Sequence, residues 1–188
     1  MRCFIAIDID EKIREGLAIL QNKLQSDADV RKGDVKWVDP NAMHLTLKFL
    51  GEIKDDQLAG VCNITKDVAG RHKNFELEVE SVGCFGGRSA RVLWVGTGLD
   101  CKDLLQLQED LEQQLASAGW PPESREFTGH LTLCRIRNSN AGLKLAQLTE
   151  KYKDYKLGTM PANSLSVYQS DLTPKGPIYT LLCNYKLQ

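Results

Sequence analysis

The tetrapeptide His-Leu-Thr-Leu occurs twice in this chain, at residues 44–47 and 130–133, and it constrains the fold more than any other feature. Only three histidines are present in 188 residues, and two of them begin these copies. An internal duplication, in which each half of the fold contributes one such strand, explains the pair better than chance does. The sequence therefore predicts two related halves whose copies face each other.

Each copy is predicted to be a β-strand with one polar and one apolar face. Side chains alternate along a strand, so the histidine and threonine of a copy share one face and its two leucines share the other. On this pattern Phe49 joins the leucines in the core, and Lys48 lies on the face of His44 as a solvated residue near the strand end. The candidate site then consists of four side chains: His44, Thr46, His130 and Thr132.

The rest of the chain alternates between predicted strands and helices. Apolar residues three or four apart indicate helices near residues 13–24, 55–69, 101–118 and 141–152, with Asp100 as a candidate N-cap of the third. A glutamate-lined alternating strand and a turn-linked final pair favour antiparallel pairing, so the predicted class is α+β. Strands are predicted at residues 2–9, 37–38, 44–49, 75–82, 91–96, 130–135, 164–170 and 177–186.

The charge balance limits the partners that this chain can bind. The 24 basic and 25 acidic residues give a net charge of −1, whereas proteins that grip long nucleic acids have a basic excess. A short or terminal piece of nucleic acid fits, because a small site needs only a few local cations. The apolar runs are far shorter than a membrane span and no export signal is recognised, so a monomeric, cytoplasmic protein without a membrane partner is expected.

The cysteines and the third histidine are expected to have no part in the chemistry. The cysteine spacing fits neither a C-x-x-C redox motif nor a zinc ligand set, and buried, reduced thiols are expected in a cytoplasmic protein. His72 lies in a polar segment and is expected to be solvated. The six cysteines are at positions 3, 62, 84, 101, 134 and 183.

Two imidazoles and two hydroxyls that face each other suit phosphodiester hydrolysis. Histidine titrates near neutral pH, so one ring can accept a proton while the other donates one. The attacking and leaving oxygens lie on opposite sides of phosphorus, and strands from two facing halves place one ring on each side. Threonine hydroxyls can donate hydrogen bonds to the non-bridging oxygens and stabilise the transition state.

These motifs resemble those of the two-histidine (2H) phosphoesterase superfamily, which is defined by paired His-x-Thr/Ser-x motifs. Within it, the chain is most similar to the RNA 2′,3′-cyclic phosphodiesterases, also called 2′-5′ RNA ligases. The resemblance extends over nearly the whole chain and is carried by five segments: RCFIAIDI, HLTLKFLGE, VLWVG, FTGHLTLCRIR and VYQSDLTPKGPIYTLL.

The resemblance implies one bilobal domain over residues 1–188, with mostly antiparallel sheets around a central groove. It implies hydrolysis of a terminal RNA 2′,3′-cyclic phosphate, or of a small nucleotide carrying one, to a 2′-phosphomonoester, without a metal or other cofactor. In this chain His44 matches the proton donor, His130 the proton acceptor, and Thr46 and Thr132 the phosphate-binding positions. From the residues alone, the acid and base roles stay open because the halves are pseudo-symmetric.

Arg135 matches a basic residue that follows the second motif in similar proteins, and it is a candidate phosphate ligand. Strict alternation turns Arg135 away from His130, so this role requires a bulge or twist in the strand. Gly129 stands where proline is expected in many relatives, and the glycine is expected to loosen the entry to the strand without touching the chemistry.

Three other functions fit the motifs. A metallohydrolase would use the histidines as ligands, although each motif supplies one histidine and no nearby carboxylate on the same face. A non-catalytic module would bind RNA ends and survive loss of a histidine. Another 2H activity would act on small cyclic nucleotides or on ADP-ribose 1″,2″-cyclic phosphate. Ligation of 2′-5′ linked RNA ends is the reverse chemistry and is expected at most in vitro.

Overall fold

The structure, a computed structural model, describes residues 1–174 and 176–188. These residues form nine strands, all paired antiparallel, and four α-helices, which confirms the predicted α+β class. A 3₁₀ helix, Pro40–Ala42, precedes β3. The order is β1 (Arg2–Asp8), α1 (Glu11–Ala28), β2 (Val35–Trp37), β3 (His44–Glu52), α2 (Asp55–Ala69), β4 (Phe75–Phe85), β5 (Val92–Thr97), α3 (Lys102–Ser117), β6 (His130–Ile136), α4 (Ser139–Tyr152), β7 (Lys156–Ala162), β8 (Ser164–Thr173) and β9 (Gly176–Lys186).

The strands form two sheets, and each sheet contains one copy of the repeated tetrapeptide. The four-stranded sheet has the order β3-β1-β8-β9, and the five-stranded sheet has the order β2-β6-β5-β4-β7. β1 lies beside β3 as β5 lies beside β6, and each of these four strands is followed by one α-helix in chain order. The predicted duplication is therefore present in the topology.

The two halves exchange their first helices. α1 follows β1 of the four-stranded sheet but packs against α4 and β7, whereas α3 follows β5 of the five-stranded sheet but packs against α2 and β3. The first lobe thus comprises the four-stranded sheet with α2 and α3, and the second lobe comprises the five-stranded sheet with α1 and α4. One continuous apolar cluster includes residues of both lobes.

The apolar spacing in α1 explains why this segment is a helix and where it packs. Ile13, Leu17, Leu20 and Leu24 lie on one face and are fully buried, as their spacing predicts. The Asp10 carboxylate caps the helix by accepting a hydrogen bond from the Ile13 amide.

The predicted cap of α3 was wrong. The Cys101 carbonyl accepts the first helical bond, from the Leu105 amide, so Cys101 and not Asp100 occupies the N-cap position. A turn places it there, because the Cys101 amide donates to the Gly98 carbonyl and Gly98 has a positive φ of 61°.

Two further expectations were wrong because helices bring distant residues together. α2 packs on β9, and Cys62 and Cys183 form a disulfide instead of two reduced thiols. His72 is half-buried rather than solvated, since its Nε2 lies 3.0 Å from an Asp110 carboxylate oxygen of α3. Of the other four cysteines, two are buried and two are partly exposed: Cys3 and Cys134, and Cys84 and Cys101.

Within residues 1–174 and 176–188, no helix combines the length and the apolar character that crossing a membrane requires.

Candidate active site

The repeated strands line one groove of about 820 Å³ between the lobes. β3 contributes His44 and Thr46 from the first lobe, and β6 contributes His130 and Thr132 from the second. The structure therefore brings together the four side chains that the tetrapeptides place on their polar faces.

A β-bulge interrupts both strands at the same position of the motif. Along β1, Ile5 is paired with Lys48 and Ala6 with Thr46, so that Leu47 has no partner. Along β5, Leu93 is paired with Cys134 and Trp94 with Thr132, which leaves Leu133 without a partner. The side-chain alternation reverses after each bulge, because the extra residue shifts the pleat by one.

The bulge corrects two expectations about the first copy. Lys48 is buried, with 3% of its surface exposed, and not solvated on the face of His44. Phe49 is 55% exposed and lines the groove, although it was expected in the core. Both corrections follow from the bulge at Leu47, which precedes Lys48 and Phe49 in the strand.

The same reversal decides the position of Arg135. Arg135 lies on the groove face with His130, which is the bulge-dependent arrangement that a phosphate-binding role requires. The bulged carbonyl, that of Leu133, accepts hydrogen bonds from the Val38 amide at 3.0 Å and from Nε2 of the buried Gln21 at 2.9 Å. Gln21 belongs to the exchanged helix α1, so a helix from the first half satisfies the irregular backbone of the second.

Lys48 anchors the segment that leads into β6. Its ammonium group donates to Glu112 Oε1 of α3 at 2.7 Å and to the Pro121 carbonyl at 2.8 Å. The same Glu112 oxygen accepts a hydrogen bond from the Glu123 amide. This buried ion pair joins residues 64 apart, so no local sequence pattern indicates it.

The surroundings of His130 fix its tautomer and shift its pKa. Its Nδ1 lies 2.7 Å from the Thr128 carbonyl oxygen. A carbonyl only accepts, so Nδ1 carries the hydrogen and the neutral ring keeps its lone pair on Nε2. Burial lowers the pKa of His130, the Thr128 hydrogen bond raises it, and the positive charge of Arg135 lowers it further.

His44 is enclosed by aromatic rings. It stacks on Phe4 with ring centroids 4.4 Å apart, and the Tyr179 ring meets it edge-on at 4.9 Å. Burial lowers the pKa of His44 to about 4, while the negative charge of Asp8 acts in the opposite direction. Without a bound anion the ring is therefore neutral at pH 7.

Asp8 is a site residue that the sequence motifs do not indicate. It lies opposite His44 in the β1–β3 register, and such pairs have Cβ atoms about 4.5–5.5 Å apart. Its carboxylate oxygens each accept a hydrogen bond of 2.7 Å, one from the Ser166 hydroxyl and one from the Tyr168 hydroxyl of β8. The carboxylate is thereby held beside His44.

No group of three or more histidine, cysteine, aspartate or glutamate side chains in the described part of the chain is arranged to hold a metal ion.

Comparison with known proteins shows the family of this chain. The family model described as LigT like Phosphoesterase matches residues 7–94 and 100–179. An RNA 2′,3′-cyclic phosphodiesterase of Methanothermobacter thermautotrophicus is 34% identical over 96% of this chain and 95% of its own length. A second protein of that name, from Methanocaldococcus jannaschii, is 32% identical over 97% of this chain and 98% of its own length.

Solved structures give the same result. A Thermus thermophilus protein, TT0787, superposes with a TM-score of 0.81 at 25% identity over 100% of this chain and 98% of its own. Escherichia coli LigT, crystallised with 3′-AMP, superposes with a TM-score of 0.77 at 26% identity, covering 99% of this chain and 97% of LigT. The matched family model spans most of the sequence, and the chain therefore belongs to the LigT-like phosphoesterase family of enzymes.

Proposed function

We propose that the protein hydrolyses the 2′,3′-cyclic phosphate at an RNA end to a 2′-phosphomonoester, without a metal ion. The observation that carries this proposal is the meeting of two His-x-Thr faces, one from each lobe, in a single groove. The substrate class is supported by the relatives that bear the name RNA 2′,3′-cyclic phosphodiesterase.

In the proposed reaction His130 is the proton acceptor. Its Nε2 takes a proton from a water molecule, and the water oxygen forms a bond to phosphorus. The Thr128 carbonyl supports this role because it fixes the tautomer and stabilises the imidazolium that forms.

His44 is the proton donor to the 3′ oxygen that leaves phosphorus. The ring has to be charged to donate, and two negative groups favour that form: the nearby Asp8 carboxylate and the phosphate of a bound substrate. Binding of the phosphate thus raises the pKa of His44 and prepares the acid. The product carries a 2′-phosphate and a free 3′-hydroxyl, and water returns the proton from His130 to His44.

The other predicted site residues bind the phosphate. The Thr46 and Thr132 hydroxyls donate to the non-bridging oxygens, on which charge builds up in the transition state. Arg135 provides a guanidinium on the same face as His130 and forms a charge-assisted hydrogen bond to the same phosphate.

The test is hydrolysis of an RNA oligonucleotide that ends in a 2′,3′-cyclic phosphate, with EDTA present. Wild-type protein should yield a 2′-phosphate, and His44→Ala and His130→Ala should each lose about 10²–10⁴-fold in kcat, the usual contribution of one general acid or base. His72→Ala removes the one histidine outside the groove and serves as the matched control.

The other candidate functions are alternative outcomes of this assay. Loss of turnover in EDTA would indicate a metallohydrolase. Intact RNA-end binding without turnover would indicate a non-catalytic binding module. Turnover of small cyclic nucleotides or ADP-ribose 1″,2″-cyclic phosphate alone would indicate another 2H activity. Incubation of the product with an RNA bearing a 5′-hydroxyl tests for 2′-5′ ligation.

We also propose that residues 1–188 form one bilobal domain that acts as a cytoplasmic monomer. The exchanged helices α1 and α3 support a single unfolding unit. Urea denaturation followed by two probes tests this, since a single unit gives coincident transitions.

The Cys62–Cys183 disulfide argues against a cytoplasmic location, since disulfides rarely persist in the cytosol. Thiol titration of protein quenched inside cells decides this point, and sedimentation decides the oligomeric state.

A further inference from the structure

Two cations lie side by side on neighbouring strands that line the groove. Lys36 of β2 is directly opposite Arg135 of β6 in the strand register, and both side chains line the groove. Directly opposed residues of an antiparallel pair have Cβ atoms about 4.5–5.5 Å apart, and like charges placed there destabilise the sheet.

Neither cation is neutralised by a described neighbour. No acidic side chain among residues 1–174 and 176–188 forms an ion pair with Lys36 or Arg135. Two acidic residues lie near Lys36 along the chain. Asp34 lines a separate pocket, and Asp39 accepts hydrogen bonds from the Asn41 amide and side chain as the cap of the 3₁₀ helix. The pair is therefore suited to an anion from outside the protein.

The charges along the groove are unevenly distributed. The β2–β6 side presents two cations, Lys36 and Arg135, against one carboxylate, Asp39. The segment before β6 presents two carboxylates, Glu123 and Glu126, against one guanidinium, Arg125. β2 is the outer strand of the second lobe and lies on the far side of β6 from β5. A polyanion that enters the groove is therefore attracted along the β2 edge.

The two cations differ in their distance from the catalytic histidines along the sheet. Arg135 is on the strand of His130, and Lys36 is one strand further out. We infer that Lys36 forms a second phosphate subsite, which binds the phosphodiester just upstream of the terminal cyclic phosphate, so that the preferred substrate is an oligonucleotide and not a mononucleotide.

This inference rests on the proposed function, and its experiment uses two substrates that share the reacting group. One is a nucleoside 2′,3′-cyclic phosphate, and the other is a dinucleotide that ends in the same cyclic phosphate. In wild-type protein kcat/KM should be roughly tenfold higher for the dinucleotide, the effect of one charge-assisted hydrogen bond partly screened by water. Lys36→Gln should reduce that ratio to near one, while Lys32→Gln, which removes an exposed lysine outside the groove, should leave the ratio as in wild type.

Binding of the hydrolysed dinucleotide, which ends in a 2′-phosphate, gives a second measure that needs no turnover. Loss of one phosphate contact should reduce the slope of log Kd against log salt by about 0.7 in Lys36→Gln. A wild-type ratio near one, or equal ratios and salt slopes in wild type and Lys36→Gln, would overturn the subsite. No hydrolysis of either substrate by wild type would instead overturn the proposed function, and the salt slopes would still decide the subsite.

Discussion

The two lobes share a backbone but not an electrostatic environment. β3 and β6 carry the same tetrapeptide, and the same position of each strand bulges, at Leu47 and at Leu133. The residues around the motif differ: Asp8 is paired with His44, whereas the residue paired with His130 is Gly96. The repeated tetrapeptides place two imidazoles in one groove. The residues paired with the histidines differ between the lobes and give the two imidazoles different charged neighbours.

The positions after the bulge diverge as well. Lys48 of the first lobe corresponds to Cys134 of the second, and Phe49 corresponds to Arg135. At these positions the first lobe thus presents an aromatic ring to the groove, whereas the second presents a guanidinium. Burial lowers the pKa of both histidines, that of His44 to about 4. The smaller contributions differ between the lobes, because Asp8 favours the charged form of His44 whereas Arg135 favours the neutral form of His130.

The largest expected effect is that the two histidine variants differ on a substrate whose leaving group needs no proton. On a nucleoside 4-nitrophenyl phosphodiester, whose phenolate leaves without a proton, His44→Ala should keep activity within about tenfold of wild type. His130→Ala should still lose about 10²–10⁴-fold, because the attacking water still needs a base. The release of nitrophenolate measures both rates, and equal losses in the two variants would show that the lobes have not specialised.

Lys48 should contribute more to the free energy of unfolding than Cys134, which occupies the corresponding position of the second lobe. Lys48→Met leaves the partly buried Glu112 without its cation, and we expect a loss of about 3 kcal/mol in the free energy of unfolding, which urea denaturation measures. The double variant Lys48→Met with Glu112→Leu should recover most of this loss, since it leaves no unpaired charge. Cys134→Ala at the corresponding position removes one small buried thiol and serves as the control; an equal loss there would deny the ion pair a special role.

Asp8 should act on His44 through charge. Asp8→Asn removes the group that favours the imidazolium, and kcat/KM should fall about tenfold, equivalent to one pKa unit. The pKa of His44, followed by NMR with bound 2′-nucleotide, should decrease, so the pH above which the acid is lost should move down. The other titratable groups beside His44 are Tyr168 and Tyr179, whose ring centroids lie 6.1 and 4.9 Å from that of His44.

Asp171→Asn, which removes an exposed carboxylate of β8, is the matched control for this charge effect. An Asp8→Asn variant with reduced kcat but an unchanged pKa of His44 would assign Asp8 a purely structural role.

The smallest expected effect is on the pH dependence of the free energy of unfolding. The pKa of His44 is about 4 in the folded protein and near 6.5 in the unfolded chain, so only the unfolded chain binds a proton between these values. The free energy of unfolding should therefore fall as the pH decreases from 6.5 toward 4, with about 1 kcal/mol from this residue near pH 5.5. His44→Gln should flatten this slope in urea denaturation at several pH values, and an unchanged slope would contradict the lowered pKa.

Local patterns are sufficient for much of the fold. The apolar spacing of Ile13, Leu17 and Leu20 predicts α1 because it needs only the helical period, and the helix over residues 55–69 begins and ends as predicted. The repeated tetrapeptide indicates the four site residues for the same reason: histidine and threonine two positions apart share a strand face. Strict alternation fails only beyond the bulge, where Lys48, Phe49 and Arg135 all lie opposite to the face it predicts.

The sequence by itself therefore determined the α+β class, the duplication and the four side chains of the two copies, since each depends on residues close together in the chain. The tertiary structure decided the rest. The two bulges, the Lys48–Glu112 ion pair, the Asp8 carboxylate beside His44 and the Cys62–Cys183 disulfide all depend on which distant segments pack together. The ion pair depends on the packing of α3 against β3, the placement of Asp8 on the pairing of β1 with β3 and β8, and the disulfide on the packing of α2 against β9. No local periodicity encodes these contacts.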